Sequence, residues 1–402
     1  MAESVTSSAE WTVEELLKRL DRREDFFILD ARAREEFERW KIEGRAPLPI
    51  RNEPYFELIE LAGSDDPVES ARALAAKDSD RPLPEDRPVL TVCAKGGASG
   101  FLAEGLRRLG YQAFNLRGGM AAWGDAYTVK AVARSVALAV HQVARIARGC
   151  LSYIIVSDGK AAVVDPLRHV DTYLDFLQRE GLTLEFAVDT HAHADHVSGG
   201  CALAGRAKAP YYLHPYDGIH PMDVMPAAIA YEPLRDGQTL NVGRATLEVI
   251  HIPGHTLGNL ALRLGHDVLL TGDSIFLDSI ARPDLGGRGE AWAALHYRSL
   301  RRLLELSDAV AVLPGHFSRM GEADDAGLFA APLGKLRRAN EGLLMAQKSE
   351  KEFVDYILRH LPQYPEQYVQ IKRVNAGLAP ADDEAASELE IGKNVCAMAH
   401  ER

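Results

Sequence analysis

The chain is poor in the residues that mark three common classes of protein. It has only four cysteines, Cys93, Cys150, Cys201 and Cys396, spread over 402 residues. They are too far apart for a CxxC pair, so neither a disulfide framework nor a thiolate zinc site is expected, and each must be weighed singly. No stretch approaches the roughly 18 uninterrupted apolar residues that a membrane span requires. Positive charge is also short, with 46 Lys and Arg against 58 Asp and Glu and a formal net charge of -12. That excludes an extended phosphate-binding surface, so nucleic acid is not an expected partner. Met1 to Glu10 lacks a basic start followed by an apolar run and does not read as a secretory signal, which makes a cytoplasmic location the expectation.

A hydrophobic fraction of 47% and a charged fraction of 26% describe a globular chain able to bury sizeable cores. Single cores stop growing near ~250 residues, so two to three domains are expected. The first 125 or so residues alternate short apolar runs with helical patterns, as a small α/β unit does. Trp11–Leu20 reads as a helix capped by Thr12 with Glu15 three residues on, Phe26–Asp30 as a buried strand and Arg34–Trp40 as a helix. Pro47–Pro54 reads as a turn-rich connection. Val89–Val92 reads as a strand running into a loop and an amphipathic helix through Leu109, and Tyr111–Leu116 as a final strand. The pattern weakens between Trp123 and Arg148, which puts a boundary near Tyr127. Beyond it Tyr153–Val156, Ala161–Val164, Phe186–Asp189, Thr246–Ile250, Leu260–Leu264, Val268–Leu270 and Val310–Leu313 read as short strands of a two-sheet sandwich with covering helices. From Pro332 on, helical segments are broken by Pro362, Pro365 and Pro380.

The strongest chemical signal follows the third of those strands: Thr190-His191-Ala192-His193-Ala194-Asp195-His196. Three imidazoles and a carboxylate within six positions suit a divalent zinc, iron or manganese ion. His255 in Pro-Gly-His-Thr, Asp273 in Thr-Gly-Asp-Ser and His316 in Leu-Pro-Gly-His lie in short loops next to strands, where a scaffold can hold a ligand. On these residues the chain resembles the metallo-β-lactamase superfamily over roughly 130–345. The resemblance implies an αβ/βα sandwich with metal at one edge of its sheets. His141, His169, His214, His220, His266, His296, His360 and His400 fit no ligand spacing and read as surface or packed residues.

Cys93 lies where a strand passes through Ala94-Lys95-Gly96-Gly97-Ala98-Ser99 into a helix, so loop N–H groups and the positive helix end would favour negative charge on its sulfur. Taken alone, a cysteine there is more often a small buried hydrophobe. Phe27-Ile28-Leu29-Asp30-Ala31-Arg32, the Cys93 loop, Leu109-Gly110-Tyr111 and Leu116-Arg117-Gly118-Gly119-Met120-Ala121-Ala122-Trp123 together resemble a rhodanese domain. By that likeness Cys93 would carry a sulfane sulfur as a persulfide, cradled by the amides of Ala94 to Ser99. Two features depart from the family pattern. Ala98 stands where an Arg is usual, leaving Lys95 as the only loop cation, and Lys41-Ile42-Glu43-Gly44 lacks the usual His-Ile-Pro-Gly-Ala form. A degenerate, regulatory or docking domain is the alternative.

The two resemblances give one expected architecture. Residues 10–127 form an α/β rhodanese domain with a parallel sheet and helices on both faces. Residues 128–345 form the αβ/βα metallo-β-lactamase sandwich, and 346–402 a helical C-terminal extension packed on it. The pairing, with Thr271–Leu277 and Ala281–Leu285, resembles bacterial rhodanese-containing persulfide dioxygenases. That implies one Fe(II) held by His191, His255 and Asp273, with His193, Asp195, His196 and His316 orienting ligands around it. The substrates would be glutathione persulfide or a similar small persulfide and O2, the products thiol and sulfite, with sulfite and thiosulfate exchanging sulfur through Cys93. The rival uses the same residues for two Zn(II): His191, His193 and His255 on one, Asp195, His196 and His316 on the other, Asp273 bridging, cleaving a thioester such as a hydroxyacyl-glutathione. A non-enzymatic persulfide sensor or scaffold is the third class. Cys150 and Cys396 read as packing residues, with a place beside the metal as the alternative, and the pattern leaves room for a homo-oligomer.

Overall fold

The computed structural model describes residues 9–134 and 138–398. His400 lies outside the described residues. The chain divides into two compact units, one running to Ala126 together with Arg319–Gly321, the other holding Tyr127–Ser318 and Glu322 onward.

The first unit contains, in order, β1 (Glu10–Trp11), α1 (Val13–Asp21), β2 (Phe27–Asp30), α2 (Arg34–Arg39), β3 (Ile50–Asn52), α3 (Tyr55–Ala62), α4 (Pro67–Ala76), β4 (Val89–Val92), α5 (Gly97–Arg108), β5 (Ala113–Leu116) and α6 (Gly119–Gly124). Its sheet has the order β1-β5-β4-β2-β3, and every pairing in it is parallel. Thr12 closes a capping box with Glu15, as its spacing predicts. Trp11 is not helical, however. It pairs with Leu116 as an edge strand, because the cap residue must be extended and the residue before it follows. The Pro47–Pro54 segment is likewise corrected: it holds β3, which adds to β2 with Ile28 opposite Ile50, and flanking prolines are tolerated at such an edge.

The second unit begins with β6 (Tyr127–Arg134), β7 (Ala139–Arg145), β8 (Cys150–Ser157), β9 (Lys160–Val164), α7 (Asp171–Glu180), β10 (Thr183–Val188), α8 (Gly200–Ala207) and β11 (Tyr211–Leu213). It continues with β12 (Ile219–His220), β13 (Met225–Pro226), β14 (Glu232–Pro233), β15 (Thr239–Val242), β16 (Ala245–His251), β17 (Leu260–Leu264), β18 (Val268–Gly272), α9 (Gly289–Leu303), β19 (Ala311–Pro314) and β20 (Ala331–Pro332). The tail is α10 (Leu333–Ala339), α11 (Glu341–Ala346), α12 (Glu350–Arg359), α13 (Gln367–Asn375) and α14 (Asp383–Leu389). One mixed sheet runs β14-β11-β10-β9-β8-β7-β6 and the other β15-β16-β17-β18-β19-β20. The long β6 and β7 pair is invisible to pattern reading because no Gly, Pro, Asn or Asp punctuates Tyr127 to Arg148.

The outer face of the first sheet buries Val143, Ile154, Val163 and Ala187 against Tyr173, Phe176 and Leu177 of α7 and Leu203 of α8. Helix α9 buries Trp292, Ala293, His296, Ser299, Leu300 and Leu303, a 3-4 spacing that gives one apolar stripe. A separate cluster joins Tyr368 and Ile371 of α13 and Cys396 of the tail to Ala194, Phe276, Ala281 and Leu285. The tail is therefore packed beneath the histidine loop.

Candidate functional site

Four strand ends converge on the histidine motif. β10 ends at Val188 and delivers His191, His193, Asp195 and His196; β16 precedes His255, β18 leads to Asp273 and β19 to His316. All seven side chains are buried. His191 Nε2 and His255 Nε2 lie 3.7 and 3.4 Å from Asp273 Oδ2. None of these three atoms has a hydrogen-bond partner among the described residues. An unpaired buried polar atom costs ~1–3 kcal/mol, so three converging on one point fit a cation. Their other atoms are held. His255 Nδ1 donates to Arg282 O at 2.8 Å, and Thr190 Oγ1 lies 2.9 Å from His191 Nδ1 and donates to Asp165 Oδ2 at 3.0 Å. Such partners fix the ring orientation and leave Nε2 for the metal.

The remaining motif residues face other carboxylates, and both ring nitrogens of His193 and the Nε2 atoms of His196 and His316 also have no hydrogen-bond partner among the described residues. His193 Nε2 lies 3.3 Å from Asp165 Oδ1 and 3.8 Å from Asp189 Oδ1, ion-pair distances without hydrogen-bond alignment. His196 Nδ1 meets Asp195 Oδ1 at 3.1 Å, and His316 Nε2 lies 2.8 Å from Asp195 Oδ2. Burial pushes His191 and His255 down, which favours the neutral imidazole that binds metals. Burial opposes charge on His193 and His316 as well, but their carboxylate neighbours outweigh it and raise both well above the usual histidine range.

Both doubtful cysteines lie beside this cluster, which corrects the expectation of simple packing. Cys150 starts β8, bridges His316 and places Sγ 3.4 Å from Asp195 Oδ2. Cys396 offers Sγ within 4.8 Å of ligand atoms of Asp195, Asp273 and His316. Burial, then Asp195 and Asp273, push the Cys396 thiol well up. Cys201 is exposed. Among the histidines set aside as surface or packed, His214, His220 and His296 are buried and His266 is exposed.

Pattern reading missed several supporting residues. Asn375 of α13 donates from Nδ2 to the carbonyls of His193 and His196, each at 2.9 Å, and accepts from Ser198 N at 2.8 Å. Asp217 accepts from Ala192 N, Thr256 Oγ1 and Gly258 N. A cavity of about 250 Å³ opens beside the site, lined by Ala192, Thr256, Tyr216, Trp292, Arg288 and Lys372 among others. Burial lowers Lys372 to about 8, and its Nζ donates to Leu285 O at 3.0 Å.

In the first unit Cys93 directly follows β4 and is largely buried, 7% exposed. Of the loop donors, Gly96 N and Ser99 Oγ reach Sγ at 3.2 and 3.1 Å. Ser99 Oγ also contacts Asn115 Oδ1 at 2.7 Å, and Asn115 Nδ2 donates to Gly96 O at 3.1 Å. Gly119 has φ +58, and a Cβ there would stand 2.2 Å from Cys93 O. The Gly118-Gly119 pair is thus what lets α6 close on the cysteine loop.

A metal-ready cluster at one edge of two mixed sheets, preceded by a parallel α/β unit with a cysteine at a strand end, defines a two-domain class of protein. Residues 145–316 match the Metallo-beta-lactamase superfamily model and residues 12–126 the Rhodanese-like domain model. An uncharacterized protein of Mycobacterium leprae is 35% identical over 184 residues, covering 40% of this chain and 79% of the relative. A hydroxyacylglutathione hydrolase of Aeromonas hydrophila is 34% identical over 164 residues, covering 41% of this chain and 59% of its own length. A solved metallo-beta-lactamase structure from Staphylococcus aureus aligns with a TM-score of 0.54 at 27% identity, over 61% of this chain and 74% of that one. The chain belongs to the metallo-beta-lactamase superfamily and carries a rhodanese-like domain ahead of that fold.

Proposed function

We propose that the second unit is a persulfide dioxygenase with one Fe(II) held by His191, His255 and Asp273. The observation that carries this reading is the partition of the motif. Nε2 of His191, Nε2 of His255 and the unpaired Oδ2 of Asp273 fall in one set of ligand atoms, while His193, whose ring nitrogens also lack a hydrogen bond among the described residues, falls in another set with Asp165 and Asp189. A facial set of two histidines and a carboxylate leaves three positions open, and bound iron would supply the redox chemistry that joins O2 to a sulfane sulfur. The reaction balances as RSSH + O2 + H2O giving RSH and H2SO3. Asp273 is oriented by His316, and the neighbouring cavity, with Arg288 exposed and Lys372 buried in its wall, would hold an anionic thiol carrier such as glutathione. The first unit complements this chemistry: a persulfide on Cys93 would pass its outer sulfur to sulfite, forming thiosulfate and restoring the thiolate.

The similarity to a hydroxyacylglutathione hydrolase favours a second reading, a dinuclear zinc thioester hydrolase. Metal analysis of protein purified without added metal separates the two. One iron per chain and oxygen uptake with glutathione persulfide support the dioxygenase, whereas two zincs and thioester cleavage overturn it.

A further inference from the structure

We propose that Asp189, acting with Asp165, withdraws His193 from the metal and so keeps the site at three protein ligands. The inference rests on the metal assignment made above. His191 and His193 are two residues apart on one loop, and their ring centroids are only 4.2 Å from each other. Both imidazoles are therefore close enough to serve one ion. His191 Nε2 faces Asp273 Oδ2 at 3.7 Å, yet His193 Nε2 faces Asp165 Oδ1 at 3.3 Å and Asp189 Oδ1 at 3.8 Å. The atoms fall into separate sets, His191, His255 and Asp273 in one, Asp165, Asp189 and His193 in another.

The two carboxylates have different work. Both oxygens of Asp165 serve Thr190, taking its N–H at 2.6 Å and its hydroxyl at 3.0 Å, and through that hydroxyl they orient His191. Asp189 contributes nothing to that chain. Its Oδ2 accepts from Ser198 Oγ at 2.5 Å and Tyr211 OH at 2.8 Å, which fixes the carboxylate. Its Oδ1 is buried, has no hydrogen-bond partner among the described residues, and is aimed at His193. Gly200 sits against this oxygen, where a Cβ would come within 3.2 Å. Asp189 is thus a clamp whose free oxygen has His193 to hold. With His193 withdrawn, the site offers two imidazoles and a carboxylate, which leaves open positions and suits iron. With His193 released, three imidazoles and a carboxylate make a complete tetrahedral set, which suits zinc. Asp189 is in this sense a positioning residue that sets coordination number and metal preference.

The visible spectrum of the Co(II)-loaded full chain tests this without reference to turnover, because tetrahedral cobalt absorbs far more strongly than five- or six-coordinate cobalt. The wild type should absorb weakly, Asp189→Ala several-fold more strongly, and Asp189→Ala with His193→Ala should fall back to the wild-type intensity. A spectrum unchanged by Asp189→Ala, or a wild type that already absorbs strongly, overturns the proposal. Should Asp189→Ala fail to fold, His193→Ala alone decides: it should leave cobalt stoichiometry and spectrum as in the wild type, and a change in either overturns it. Failure of the dioxygenase reading shows separately, as absence of oxygen uptake by the iron-loaded wild type.

Discussion

Asp273 divides its two oxygens between two tasks: Oδ1 lies 2.5 Å from His316 Nδ1, and Oδ2 has no hydrogen-bond partner among the described residues and faces His191 and His255. His316 in turn reaches Asp195 with its other nitrogen. The carboxylate is thereby held with one lone pair turned to the point where a metal would sit.

Asp273→Ala should abolish iron binding and oxygen consumption together, since two neutral imidazoles remain to hold a dication. His316→Ala should keep the three ligands but release the carboxylate, lowering metal affinity or activity by roughly 10–100-fold. Elemental analysis and oxygen-electrode traces measure both. Full iron occupancy in Asp273→Ala would refute the ligand assignment.

Cys93→Ser should eliminate sulfur transfer to sulfite or cyanide and leave oxygen uptake on free glutathione persulfide within about twofold of wild type, because the two sites belong to different compact units. Loss of both activities to the same degree would show one shared site.

Gly119→Ala should remove sulfurtransferase activity as well. The new methyl would meet Cys93 O at 2.2 Å on a backbone with φ +58, and left-handed strain with a clash costs about 1–3 kcal/mol or more. A variant with wild-type transfer rate and melting temperature would contradict the closure of α6 on the loop.

Asn375→Ala should destabilise the metal unit by about 1–3 kcal/mol, since it strands the Ser198 N–H and the carbonyls of His193 and His196. Denaturant midpoints test this, and a shift within error would show that water replaces the amide without loss.

Glu390 links the tail to β7 through Arg145 and to Arg168, and its Oε1 accepts from Val197 N. Burial alone would raise its carboxyl, but Arg145, Arg148 and Arg168 outweigh this and lower it from 4.5 to about 2. A group depressed on folding stabilises the native state above the unfolded value, and that contribution is lost as pH falls from about 4.5 to about 2. By linkage that contribution is on the order of 3 kcal/mol. Melting temperature should therefore fall steeply across that window in the wild type. A slope as steep in Glu390→Gln would assign it to other carboxylates.

Legibility followed periodicity and punctuation. Leu260–Leu264 is legible to the residue because it is a short apolar-rich run, broken only by Arg263, between Gly-containing turns, and His191 to His196 because that spacing is rare. The strands of the β6 and β7 pair are not, since they carry no breaker, and Trp11 fits the periodicity of a helix whose cap it precedes. Asn375, Asp217 and Glu390 carry no local signal at all, because each serves backbone or side chains far away in sequence.

By itself the sequence determined the two resemblances, the order of the domains and the seven residues with ligand chemistry that gather at the strand ends, because strand periodicity and ligand chemistry are local properties of the chain. The tertiary structure alone decided which ligand atoms share a set, and that Cys150 and Cys396 stand beside them. It also placed His193 against Asp165 and Asp189. The physical reason is that pairing depends on where separate strand ends and a C-terminal tail meet, and no spacing along the chain encodes the direction in which a buried imidazole turns.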